Sequence, residues 1–528
     1  MKPRTHVVSV ALTVAAVALA GGATIAQRGR GAGGADAPTP AFTSDEYLLF
    51  GNATRGAGEP MVAVDPVDPR HIIVVAMGNL HLIDGKQTTG NDAHHHVAGS
   101  TINWLGVTHD AGVTWDVKEQ PILSGKLTRC PDAFADVMKD GTFIAGCEPR
   151  ETAGEPDFLG MSALQISRDH GQTWGPMVQM ISDYQLDRFA PGLRPVSGGF
   201  PKGAPNRIAS NSPWDRPYTY IDDSTGVIYG VAQGGSAVAD AAGTQRRPQS
   251  YITASTDGGK SFGTVYSWDS PEYPQSRRGI GTAAAHGALA VMYVAGSAPP
   301  SANASCPCTV WGLSRDRGKT FAYHVLTNLP ASATSARAAG PPAPPVPASP
   351  GATTGEPGGR RGAGGRGGGS DAGVVSIAAD QTKAGRFAML VSEGGPKYSL
   401  AVSEDYGHTW STFVTAGTTP DAVSFSKPRL DISRDGVVGL MWRASYADRS
   451  YDIWASISRD AGKTFSKALR VSHAKSPASD PRRNGGGFGD DIQDLSMDRQ
   501  NMHVVWGDSR SGFQGVWYGR VKLADFEF

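Results

Sequence analysis

The stretch SRDAGKTF, residues 458–465, decides the fold, because the chain repeats it. THDAGVTW stands at 108–115, SRDHGQTW at 167–174 and STDGGKSF at 255–262. SRDRGKTF follows at 314–321 and SEDYGHTW at 403–410. The common pattern is Ser/Thr-x-Asp-x-Gly-x-Thr/Ser-Trp/Phe, six times, so an internal repeat governs the architecture. Each element has a physical role. A short carboxylate in a turn accepts several backbone N–H bonds and holds the turn locally. The Gly two residues on permits positive φ. The closing Trp or Phe packs against a sheet.

A second repeat alternates with the first. EPMVAVDPVDPRHIIVVAMG from Glu59 and KPRLDISRDGVVGLMWRAS from Lys427 are two of seven runs built as strand, polar turn and β-rich strand. That is a hairpin. Hairpin, strand, Asp turn and strand make a four-stranded antiparallel unit of about 50–60 residues, the size of a propeller blade. The expectation is an all-β chain forming a single β-propeller, with seven blades favoured and six as the alternative. Seven hairpins face six Asp turns, so the last blade lacks an outer strand. The N-terminal SDEYLLFGN, from Ser44, is the expected donor, which would remove an exposed edge.

Composition agrees. The chain has 528 residues with 68 Gly, 36 Pro and 19% charged residues, which suits turns and short strands. Lys+Arg and Asp+Glu both number 49, so no charge excess points to nucleic acid. Lys2, Arg4 and an apolar run over 7–20 read as a signal peptide, 1–26, cleaved after Ala26 in preference to Ala20. An uncleaved anchor is the alternative. Residues 27–41 read as a flexible Gly-rich tail and 42–528 as the propeller. The Pro-, Gly- and Arg-rich segment 331–373 reads as a disordered insertion. No later run is apolar enough to span a membrane. The expected location is secreted or periplasmic.

Export permits disulfides. Cys130 and Cys147 flank one hairpin and are expected to pair. Cys306 and Cys308 form a local C-x-C, read as a local disulfide or two free thiols.

The repeated turn resembles the Asp box, or BNR repeat, of sialidases and related β-propellers, over 42–528. The resemblance implies that the box closes the third and fourth strands of a blade, away from the ligand face. Asp110, Asp169, Asp257, Asp316, Asp405 and Asp460 are then structural. It also implies a carbohydrate ligand and, for an enzyme, sialidase-like glycoside hydrolysis. The alternative is a non-catalytic scaffold for a protein or peptide partner. The Phe/Tyr-Arg-Ile/Leu-Pro motif that carries the first substrate-binding arginine of sialidases is absent; Gly58-Glu59-Pro60-Met61 stands at the matching hairpin.

Polar residues that begin innermost strands or follow second strands are the site candidates. Glu59, Asp132, Asp491 and Asp508 are the catalytic candidates, because opposed carboxylates can run glycoside hydrolysis. Arg150, Arg429, Arg443 and Arg510 are the ligand-binding candidates, because guanidinium groups match anionic ligands. Glu148, Lys427 and Asp490 stand at equivalent places. No cofactor is implied. For metal, the weak alternative is His94 with His96, on one side of an extended run after Asp92.

Overall fold

Runs such as IIVVAM and FAMLVS are apolar at every position because they lie mid-blade, covered on both faces. In the computed structural model Ile72–Met77 and Phe387–Ser392 are buried throughout. The structure describes residues 44–52, 56–78, 82–83, 86–87, 103–120, 127–130, 132–151, 161–182, 185, 214–234, 238–239, 245–246, 250–268, 270–275, 281–327, 329–330, 373–477 and 492–528. The expected signal peptide, the tail and nearly all of the 331–373 insertion lie outside them, as do His94, His96, Asp490 and Asp491.

Seven four-stranded antiparallel sheets follow one another along the chain. Blade one is Gly58–Val64, Ile72–Met77, Trp104–Thr108 and Asp116–Glu119. The first strands of blades two to five are Phe134–Val137, Trp214–Asp222, Gly281–Ala285 and Gly373–Ala379. Blade six is Ser424–Ile432, Val438–Ser445, Tyr451–Ser458 and Leu469–Arg470. Blade seven is Asp494–Met497, Asn501–Asp508 and Gly515–Lys522, completed by Ser44–Phe50. Each first strand touches the first strands of both neighbouring blades, and the seventh touches the first, so the ring closes around an axial channel. Ser44–Phe50 pairs antiparallel with Gly515–Lys522, as the count of hairpins against Asp turns requires. The fold is a seven-bladed β-propeller.

All six Asp turns join the third and fourth strands of their blades. In the last of them Asp460 Oδ1 accepts the N–H groups of Lys463 at 3.0 Å and Thr464 at 2.9 Å. The Ser458 hydroxyl donates to the same oxygen at 2.8 Å and accepts the Gly462 N–H at 2.8 Å. The Thr114 hydroxyl and amide hold the equivalent Asp110 carboxyl down at about 2.

The turn also stitches blades together. Its Gly has positive φ in every copy and faces the preceding blade. A Cβ at Gly462 would lie 2.8 Å from Leu400 Cδ2, and one at Gly171 2.9 Å from Val107 Cγ1. The closing aromatic packs into the same seam; Trp410 of blade five meets Trp311 of blade four edge-on, 5.2 Å between centroids. The repeat therefore recurs because each seam needs a tight approach that only Gly permits, and a carboxylate to hold it.

Cys130 and Cys147 are joined, with Cα atoms 5.3 Å apart, beside the short ribbon of Leu127–Arg129 with Arg150–Glu151. Cys306 and Cys308 are joined to each other.

Candidate functional site

Four non-glycine residues at the start of first strands share one uncommon conformation. Glu59, Asp132, Arg216 and Lys427 have φ of 51°, 51°, 53° and 52°. In blades one, three and six the strand register slips at that point, a β-bulge, and the next residue is Pro60, Pro217 or Pro428. Non-glycine residues in the left-handed region cost about 1–3 kcal/mol each and cluster where a backbone is shaped for a ligand. Of the four, Arg216 and Lys427 line one pocket, whereas Glu59 is buried. Asp132 Oδ2 accepts the Arg216 N–H at 3.1 Å, tying two bulges together.

Below the bulges, alternation points every second residue of a first strand into the channel. WDRPYTYID of blade three presents Arg216, Tyr218 and Tyr220, and SFSKPRLDI of blade six presents Lys427 and Arg429. With Gln493 these residues line a pocket of ≈ 210 Å³. Its walls are fixed by a short network. Arg429 Nε donates to the Gln493 carbonyl at 2.8 Å and stands 3.3 Å from Asp494 Oδ1. Asp494 Oδ2 accepts the Val62 N–H at 3.1 Å, and Gln493 Nε2 donates to the Lys427 carbonyl at 2.7 Å. The pocket thus sets three cationic side chains beside two phenols.

Three carboxyl groups on the first strands, Asp136, Asp431 and Asp494, stand near Arg434 or the pocket's Arg429 without lining the pocket itself. Burial pushes Asp136 up to about 7, against the pull of its bonds from Val137 N–H and the Thr219 hydroxyl at 2.9 Å. Burial, with the charge of Asp494, pushes Asp431 up to about 6. Burial also raises Asp494, opposed by Arg429. Burial pushes the Tyr220 phenol up to about 12 and raises Tyr218 as well. Carboxyls that titrate near neutrality can give or take protons.

The far end of the channel is crossed by side chains. Arg434 of blade six pairs with Asp223 of blade three and donates to the Val137 carbonyl of blade two at 3.0 Å. Gln381 of blade five donates to Ile221 and Ala284 carbonyls at 3.0 and 2.7 Å. Among the described residues the pocket is a pit lying between the bulged strand starts and this crossed end.

Of the residues singled out from sequence, Lys427 and Arg429 line the pit; Glu59 is buried at its bulge, and Asp132 holds the Arg216 backbone N–H. Arg150 sits in the ribbon beside blade two. Glu148 is buried. Arg443 is 9% exposed, its guanidinium 3.4 Å from the centroid of the Tyr451 ring, and does not line the pit. Asp508 and Arg510 form an ion pair at 2.6 Å, and Arg510 also pairs with Glu46 of the closing strand at 2.7 Å. That places them in the seam that closes the ring. Arg216, Tyr218, Tyr220, Asp136, Asp431 and Asp494 escaped the sequence reading. The available signal was polar alternation within innermost strands, where an apolar core would show none.

No family model matches the chain, and no curated protein sequence matches it. Among solved structures, a protein of unknown function from Dyadobacter fermentans is similar at 11% identity, with 90% of this chain, 98% of that one and a TM-score of 0.44. A Trypanosoma rangeli sialidase in complex with sialic acid is similar at 11% identity, over 90% of this chain, with a TM-score of 0.38. The match spans 59% of the trypanosomal chain. NanB sialidase from Streptococcus pneumoniae is similar at 11% identity, over 90% of this chain and 69% of that one, with a TM-score of 0.35. The propeller assignment itself stands on the strand pairing.

Proposed function

We propose that this chain is an exported propeller that recognises the terminal residue of an acidic glycan in the pit. The observation that carries this reading is the convergence of Arg216, Lys427 and Arg429 with Tyr218 and Tyr220 in one small pocket. Cationic side chains match a carboxylate. Tyr offers an apolar ring to a sugar face and a hydroxyl to its polar edge. A pit closed at its far end suits a chain terminus rather than the middle of a polymer. The N-terminal basic and apolar segment supports export, and no helix among the described residues is long and apolar enough to cross a membrane.

Hydrolysis is the second step of the same reading. Asp136 and Asp431, with carboxyls raised towards neutrality, supply acid and base groups of the kind glycoside hydrolysis uses. The repeated turns support a place among Asp-box propellers, with the six turn aspartates in structural roles.

A glycan array carrying sialylated, uronic-acid-bearing and neutral glycans tests recognition, and chromogenic glycosides of the same sugars test turnover. Binding confined to the acidic set, weakened by salt and by Lys427→Asn, is the expected outcome. Asn tolerates the left-handed backbone of position 427. Binding only to neutral glycans, or to none, overturns the reading in favour of a scaffold for a protein partner.

A further inference from the structure

On the opposite face of the ring, at the seam of blades one and two, three side chains aim at one point. Asp65 and His71 bound the turn between the first two strands of blade one. His170 occupies the left-handed position, φ 60°, of the Asp turn in blade two. Asp65 is fully buried. Its Oδ1 is committed to the turn, accepting the N–H groups of Val67 at 2.8 Å and Asp68 at 3.2 Å. Its Oδ2 faces His170 Nδ1 at 3.1 Å and His71 Nδ1 at 3.7 Å. The ligand atoms of all three residues lie within 4.8 Å of one another. The two imidazoles are stacked and nearly parallel, 3.8 Å between centroids, so one ring must turn out of the stack for both nitrogens to face a single ion.

Hydrogen bonding alone leaves this cluster incomplete. Among the described residues, His71 Nδ1 is shielded from solvent and has no hydrogen-bond partner. One carboxylate oxygen at 3.1 Å serves His170; at 3.7 Å it is too far to serve His71. A metal ion resolves the mismatch. Zinc takes imidazole nitrogen and carboxylate oxygen at about 2.0–2.2 Å, so tetrahedral ligand atoms stand roughly 3.4 Å apart. The two measured separations bracket that value. Asp68 Oδ2, 3.8 Å from His71 Nδ1, is held by the Arg70 guanidinium at 2.5 Å and stays outside the cluster.

We infer that Asp65, His71 and His170 form a binding site for a divalent transition-metal ion of the zinc class, clamping blade two to blade one. Two imidazoles and one carboxylate select zinc, copper or nickel over calcium and magnesium, which prefer all-oxygen shells. Neither histidine stands in a local motif; they are 99 positions apart, and only the meeting of a hairpin with the next blade's turn unites them.

The test uses the full mature protein, stripped with a chelator and titrated with Zn²⁺ by calorimetry, with melting curves alongside. His94, His95 and His96 are a competing source of imidazole, so the titration is repeated with all three changed to Ala. The expected result is about one Zn²⁺ bound in both proteins, with a rise in melting temperature. His170→Asn, which keeps a residue suited to positive φ, should weaken binding at least about tenfold and abolish the rise. His71→Ala should do the same. No binding by the parent protein, binding unchanged in His170→Asn, or binding lost only with residues 94–96 would each overturn the assignment.

Discussion

Arg434 and Asp223 meet across the channel, Nε to Oδ2 at 2.5 Å, although they belong to blades six and three. The pair does two things at once. It ties opposite sides of a seven-membered ring, together with the Gln381 bonds from blade five to blade three. It also stoppers the channel below the layer of Asp136 and Asp431, turning a through-hole into a pit. Asp223 is 7% exposed and Arg434 one-third exposed, so water screens the pair from one side only.

Removing Arg434 should therefore loosen the ring. Arg434→Met is expected to lower stability by about 1.5–3 kcal/mol, the range for a hydrogen bond to a charged group. A double-mutant cycle with Asp223→Asn, read by urea denaturation, should show coupling between the two positions. Additive effects would mean that the stopper contributes nothing as a pair.

The raised carboxyls predict a pH dependence opposite to that of ordinary ion-paired aspartates. A carboxyl whose folded value lies near 7 binds its proton more tightly in the folded state than in the unfolded chain, where it titrates near 3.9. Stability from this source is full below about pH 4 and is lost as pH rises towards 7. The turn aspartates work the other way. Asp110, held near 2 by Thr114, contributes above about pH 4 and loses its effect as pH falls towards 2. Asp136→Asn should flatten the decline between pH 4 and 7 while leaving the acid limb intact. An unchanged slope in that window would place the titration elsewhere.

The blades were legible because their signals are local. Turn residues and apolar runs recur at short range, and the count of seven hairpins against six turns even located the closing strand. The pit was legible only in part. Lys427 and Arg429 are visible as polar residues starting an inner strand. Arg443 carries the same chemistry but lies inside the second strand Val438–Ser445, not after it, and its guanidinium rests on Tyr451 within the blade, since which face of a strand meets the axis depends on register. Arg510 failed for a different reason. Its partner Glu46 arrives from the far end of the chain, and no spacing rule connects the two.

That partnership carries its own prediction. Glu46 is 2% exposed at its side chain, pairs with Arg510 and accepts the His473 N–H at 2.8 Å. Glu46→Ala leaves Arg510 with Asp508 alone in a buried seam. Loss of one member of such a pair costs about 3–5 kcal/mol. Limited proteolysis should cut the Ser44–Phe50 strand faster in the variant, with glycan binding by the folded fraction unaltered. Equal cleavage rates would show that strand pairing alone retains the closing segment.

The repeat and the pit can be separated by three substitutions. Asp460→Ala removes the acceptor of the Lys463 and Thr464 amides, both exposed to water, so the cost should be about 1 kcal/mol, the low end of the range for unsatisfied groups. Gly462→Ala should cost more. Its φ is 82°, and the added methyl would press on Leu400 and Val402 of blade five at 2.8 Å. Neither change touches the pit, which opens on the other face, so acidic-glycan binding should persist in both. Lys427→Asn should show the reverse pattern: a melting temperature within a few degrees of the parent protein and binding at least about tenfold weaker, the loss of one charge-assisted contact worth about 1.5 kcal/mol or more. Melting curves and binding isotherms on the three proteins decide the matter. If Gly462→Ala abolishes binding at unchanged stability, the ligand face is the one that carries the Asp turns, and the pit is only a wet channel.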